Sequence, residues 1–194
     1  NLSMSLFTII TEILGNLSGK NIYFNYDKDK KRLYVFTDDG GFSETDKIAI
    51  TQKYKSGKNE NTAGINGIGI RQSMDRISTS DSVILRTIND TEKIRMEFIY
   101  HKDKPSWEIS DNWEIINNND IEVYNRICNE CEIDNETEGT LWEIPINEEF
   151  HEKFVDEEKN IHNICARFFN IEIFKKILIF RFQGKIICLD RPMC

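Results

Sequence analysis

The sequence predicts an α+β domain, and three observations carry that prediction: an amphipathic opening helix, short alternating strand segments divided by Gly, Asp and Asn turns, and a later helical stretch followed by a terminal hairpin. In the first helix Leu6, Ile9, Ile10, Ile13 and Leu17 recur at i, i+3, i+4 and i+7, and Ser5, Thr8, Glu12 and Asn16 fill the polar side. Gly19 closes it. Two strands follow at residues 22–26 and 32–37, joined by the charged turn Asp27-Lys28-Asp29-Lys30-Lys31.

After Asp38-Asp39-Gly40-Gly41 a short helix is expected over residues 46–54. A polar, Gly-containing surface loop over 55–66 and a second helix over 68–77 come next. Strands are expected at 82–88, 93–101 and 107–116, and the Asn117-Asn118-Asn119-Asp120 run reads as a turn. Residues 139–146 alternate as a strand that ends on Pro145, which cannot donate a ladder hydrogen bond. Phe154, Ile161, Ile164, Cys165 and Phe168 return to helical spacing, and strands at 174–182 and 185–189 flank Gln183-Gly184.

The 194 residues suffice for one large domain, or for one domain and part of a second. With 39% hydrophobic and 30% charged residues the chain is ordinary globular material, which excludes disorder as its main state. A net charge of −8 argues against sequence-independent binding of nucleic acid by this segment alone. The apolar run near the C-terminus is broken by Glu172, Lys175, Lys176 and Arg181, so no membrane span is expected. The chain begins without an initiator Met or a signal sequence and reads as an excerpt of a longer protein.

Five cysteines, an odd number, favour free thiols in a reducing, intracellular setting, cytoplasmic or nuclear. Cys128-Asn-Glu-Cys131 has metal-knuckle spacing, but no second pair accompanies it and His101, His151 and His162 are scattered.

Several elements bear on chemistry. Gly64-Ile65-Asn66-Gly67-Ile68-Gly69 precedes a predicted helix, where glycines let backbone N–H groups approach an anion. It is not a P-loop, because Gly-Lys is followed by Asn at both Gly19 and Gly57, and its glycine order is not that of a dinucleotide fold. Glu12 and Asn16 stand one turn apart on one helix face. Asp38-Asp39-Gly40-Gly41 follows a strand, where a carboxylate can accept from an exocyclic amine, and Glu138-Gly139-Thr140 enters a late strand. Taken singly, these are also what a solvated helix face, an acidic turn and a strand entry look like.

Taken in order over residues 6–146, the set Glu-x-x-x-Asn, Asp-x-Gly, G-x-x-G-x-G and Gly-Thr resembles the GHKL ATPase superfamily. That superfamily includes the gyrase B subunit, the heat-shock chaperone of ninety kilodaltons, MutL, the sensor histidine kinases and the MORC ATPases. The resemblance implies a two-layer α/β sandwich, the Bergerat fold, with a mixed, mostly antiparallel sheet and ATP held beneath a lid. It implies an ATP-binding domain over 1–148, with 149–194 either its end or the start of a transducer domain.

By the same resemblance, Glu12 would orient and deprotonate the attacking water, and Asn16 would ligate magnesium. Asp38 would accept from the adenine amine, with Asp39 as the alternative, and Gly40 and Gly41 would make room for the base. Gly64, Gly67, Ile68 and Gly69 would line the phosphates, Lys58 would reach the terminal phosphate, and Thr140 would support the adenine-bound aspartate. The motif departs from the family in Asp-Asp-Gly-Gly-Phe, where either Phe42 replaces the second glycine of Asp-x-Gly-x-Gly or one residue is missing, and in lacking the Asp-Ala pair after the helix Asn.

The nearest members by these motifs are MORC-like and MutL-like. They imply ATP-driven closure of a homodimer on DNA or a protein client, contacted through regions outside this chain. Glu12 favours hydrolysis over the phosphotransfer of a histidine kinase. A non-catalytic nucleotide-responsive module is the other reading.

Overall fold

The computed structural model describes residues 5–55, 76–79, 82–101, 106–109 and 112–189. In chain order the elements are α1 (Leu6–Leu14), β1 (Asn21–Asp27), β2 (Arg32–Thr37), α2 (Glu44–Lys55), β3 (Val83–Ile88), β4 (Lys93–His101), β5 (Ser106–Ile109) and β6 (Glu114–Ile115). They continue as α3 (Asn118–Glu130), β7 (Gly139–Pro145), α4 (Glu148–Asp156), α5 (Glu158–Phe168), α6 (Asn170–Phe174), β8 (Ile179–Phe182) and β9 (Lys185–Ile186). This is an α+β architecture around one open sheet with strand order β5-β4-β3-β7-β2-β1-β8-β9, in which β6 lies beyond β5 along β4. Every pairing is antiparallel except that of β1 with β8.

Strand alternation divides the core. Ile22, Phe24 and Tyr26 of β1, Leu33 and Val35 of β2, and Trp142 and Ile144 of β7 face the larger cluster, which also takes the apolar stripes of α1, α4 and α5. Tyr23, Tyr34, Phe36 and Leu141 face the other way and meet Tyr124, Ile127 and Cys128 of α3. Residues 149–189 belong to the same structure: Ile161, Ile164 and Phe180 share the larger cluster with α1, and β8 extends the sheet beside β1. Among the described residues no helix is long and apolar enough to cross a membrane.

The elements differ from the sequence expectation at four points. The expected turn at Asn117–Asp120 is the start of α3, because the Asn117 side chain accepts from the Asp120 N–H while the Asp120 carboxylate accepts from the Asn117 N–H, a reciprocal cap. The single strand expected over 107–116 is instead two short ones, β5 and β6, both on β4. The later helix is two, α4 and α5, divided at Glu157, whose φ of −110° and ψ of 20° leave the helical region. Residues 174–178 are not strand, since α6 ends at Phe174 and Lys176 takes a φ of 57° before β8 begins. Of the helix expected over 68–77 only Arg76 and Ile77 lie among the described residues, and both are helical.

A buried charge network fixes α3 to the sheet. Arg86 on β3 stands directly opposite Arg95 on β4, a like-charge pairing that would be repulsive if left alone. Asp120 resolves it: Arg86 Nε donates to its Oδ1 at 2.7 Å, and Arg95 Nε lies 3.2 Å from its Oδ2. Glu143 on β7 flanks the pair, 3.8 Å from Arg86 and 3.5 Å from Arg32.

Candidate functional site

The site is built where β2, β7 and β3 end in register. Thr140 is the cross-strand partner of both Thr37 and Thr87, so three hydroxyls stand in a row at the end of the face that carries Val35, Trp142 and Leu85. Each occupies a position that the strand pattern would otherwise give to an apolar side chain. Thr140 Oγ1 donates to Asp39, 3.1 Å from Oδ1 and 3.4 Å from Oδ2. Thr87 accepts from the Phe42 N–H at 2.7 Å and donates to the Gly139 carbonyl at 3.3 Å. The buried Thr37 hydroxyl has no hydrogen-bond partner among the described residues and lies beneath Gly19, where an added Cβ would come within 2.8 Å of it.

The two adjacent aspartates are differently used. Asp38 is consumed by the backbone at the start of β1: its Oδ1 accepts from Lys20 N at 2.7 Å and Asn21 N at 2.8 Å, and its Oδ2 accepts from Asn21 Nδ2. Asp39 bonds Thr140 and the Gly41 N–H, at 3.0 Å. Burial pushes the Asp39 carboxyl up to about 6, against the opposing pull of those two donors. Counted from Asp39, the Asp-x-Gly-x-Gly pattern reads Asp39-Gly40-Gly41-Phe42-Ser43, so no residue is missing and Ser43 stands at the second glycine.

The glycines of this turn are required for different reasons. Gly41, at φ +77°, touches β3 so closely that a Cβ would lie 2.2 Å from the Ile88 carbonyl oxygen. Gly40, at φ +89°, has nothing within 4 Å of the same position and faces open space. Beyond the turn Phe42 is buried against Trp113, ring centroids 5.9 Å apart, and Ser43 and Asp46 cap α2.

α1 approaches the same end of the sheet. The helix stops at Leu14, and Gly15, Asn16 and Leu17 add one more turn through bonds to Thr11, Ile13 and Leu14. Asn16 therefore sits just past the helix rather than on it, and its Nδ2 donates to the Glu12 carbonyl at 2.7 Å. The segment from Asn16 leads in a few residues to Lys20 and Asn21, which hold Asp38, and passes Gly19 over Thr37. The Glu12 carboxylate is exposed and makes no hydrogen bond or ion pair among the described residues. Lys58, Gly64, Gly67, Ile68 and Gly69 lie outside the described residues.

α3 braces the strand that carries Thr140. The Tyr124 hydroxyl donates to the Thr137 carbonyl at 2.6 Å, Asn125 accepts from the Glu136 N–H at 2.8 Å, and Gly139 packs so that a Cβ would lie 2.4 Å from the Thr37 carbonyl oxygen. Sequence reasoning missed Thr87 and also Asn89, whose Nδ2 donates to the Phe42 carbonyl at 2.8 Å. The available signal was a threonine at an inward position of a strand whose other inward residues, Val83 and Leu85, are apolar. The chain matches no protein-family model and no curated protein.

Proposed function

We propose that this domain binds ATP with magnesium and hydrolyses it in the manner of a GHKL-type ATPase of Bergerat fold, driving closure of a homodimer on DNA or a protein client. The observation that carries the reading is the Asp39–Thr140 pair beside the open face of Gly40, at the end of the sheet that the C-terminus of α1 approaches. A half-buried carboxylate held by a threonine hydroxyl and one backbone amide keeps acceptor capacity for an exocyclic amine. It does so next to a turn without side chains, where a flat base has room. Asp39, and not Asp38, is then the adenine acceptor, since all of Asp38's bonds go to Lys20 and Asn21.

Asn16 fits the part of a single protein ligand to magnesium. Its nitrogen is tied to Glu12, which fixes the orientation of the amide and leaves the oxygen without a protein partner among the described residues. An ion at Asn16 would be held mostly by phosphate oxygens and water. Bound there, the ion would neutralise phosphate charge. Glu12, exposed one turn earlier, would orient the attacking water and take its proton. An intracellular location belongs to the same proposal, in keeping with the free thiols of Cys128, Cys131, Cys165 and Cys188.

Steady-state phosphate release by the chain, beside Glu12→Ala, tests the catalytic half. Turnover lost in the variant with analogue binding retained supports the assignment, and equal turnover by both chains refutes it.

A further inference from the structure

Three consecutive residues of β3 and its exit, Thr87, Ile88 and Asn89, form a platform under the Asp39–Phe42 turn. Thr87 and Asn89 grip both backbone polar groups of Phe42: the N–H donates to Thr87 Oγ1 at 2.7 Å, and Asn89 Nδ2 donates to the carbonyl at 2.8 Å. Between them the Ile88 carbonyl touches Gly41 so closely that no Cβ could intervene. The direction of the Asn89 amide is fixed, because its oxygen accepts from Thr91 N, Thr91 Oγ1 and Glu92 N at 2.7–3.0 Å. Thr87 also donates to Gly139, the residue before Thr140. One hydroxyl thus joins the turn that carries Asp39 to the strand that carries Thr140.

We infer that Thr87 and Asn89 are positioning residues for the nucleobase site: they set the separation of Asp39 and Thr140 and, with Gly41 seated against Ile88, hold the open face of Gly40 toward the base. The inference rests on the nucleotide reading above and adds the residues that determine how well the site is preformed. Neither side chain reaches the ligand; each acts through the Phe42 backbone. Sub-ångström errors in such geometry are costly to binding and to catalysis alike, since a rigid site owes its affinity to being formed in advance.

The test compares the parent with Thr87→Val, which keeps the shape and removes the hydroxyl, Thr87→Ser, which restores it, and Asn89→Ala. Calorimetric Kd values for adenosine and for a non-hydrolysable ATP analogue are measured well below each chain's unfolding transition. Thr87→Val and Asn89→Ala should each weaken both ligands about tenfold, by the same factor for each because the effect lies at the base, and Thr87→Ser should stay close to the parent. A purely structural role would lower the melting temperature and leave these Kd values unmoved. Folded Thr87→Val and Asn89→Ala chains with the parent's Kd would overturn this inference alone. Failure of the parent itself to bind either ligand would overturn the nucleotide reading and this inference with it.

Discussion

Replacing Asp39 with Asn removes a carboxyl that the fold holds near a pKa of about 6, against the usual 3.8. Burial is the largest cause, and the nearby Asp46 charge adds to it, while the Gly41 and Thr140 donors oppose both. Below the lower value Asp39 is protonated in folded and unfolded chains alike, and its contribution is fully present. As pH rises from about 4 to about 6 the unfolded chain releases this proton while the folded chain keeps it, so the folded state loses stability through that window. At about 1.4 kcal/mol per pKa unit, the span from 3.8 to about 6 corresponds to a loss of about 3 kcal/mol, complete near neutral pH. Asp39→Asn has no such proton. The stability of the variant relative to the parent should therefore grow by about 3 kcal/mol between about pH 4 and about pH 7, whatever the remaining groups do. Urea denaturation of both chains across this range, followed by tryptophan fluorescence, measures the difference directly. A difference independent of pH would refute the claim that Asp39 is half-buried and protonated at mildly acid pH.

Other outcomes follow from the same geometry. Asp120→Ala strands Arg86 and Arg95 opposite one another in the sheet and should cost about 3–5 kcal/mol in urea denaturation, far more than an exposed ion pair such as Lys31–Glu148 would. Gly41→Ala should cost several times what Gly40→Ala does, because only the former drives a Cβ into the Ile88 carbonyl; the Gly40 change carries only the left-handed backbone penalty of about 1–2 kcal/mol, read as paired unfolding free energies. Nucleotide affinity should weaken as pH falls below about 6, when Asp39 takes up a proton and loses acceptor strength, and calorimetry across that range should find the same dependence in Asp38→Asn, which keeps Asp39.

Much of the sheet was legible because alternation and helical spacing are local signals. β2 and β4 have the expected bounds, and β1, β3, β7 and α1 differ by a few residues at their ends. α3 was not read because its composition is polar, yet Asn117 and Asp120 at capping-box spacing, followed by Ile121, Tyr124, Ile127 and Cys128, marked it. What joins distant segments left no local trace. The parallel pairing of β8 with β1, and the meeting of Arg86 with Asp120, depend on contacts between segments far apart in the chain. At the site, the sequence singled out both aspartates and Thr140 but put Asp38 first, with Asp39 as the alternative, the reverse of the order proposed above. What separates them is their bonding just past the end of β2, where Asp39 is held by Thr140 and the Gly41 N–H while Asp38 is tied to Lys20 and Asn21, contacts that, Gly41 apart, join segments distant in the chain.

The most direct test of the nucleotide site is a calorimetric titration of the chain with a non-hydrolysable ATP analogue and magnesium, beside Asp39→Asn and Asp38→Asn. Saturable binding by the parent, lost in Asp39→Asn and retained in Asp38→Asn, is the predicted result. Absence of heat with the parent, or binding that survives the loss of Asp39, would contradict it.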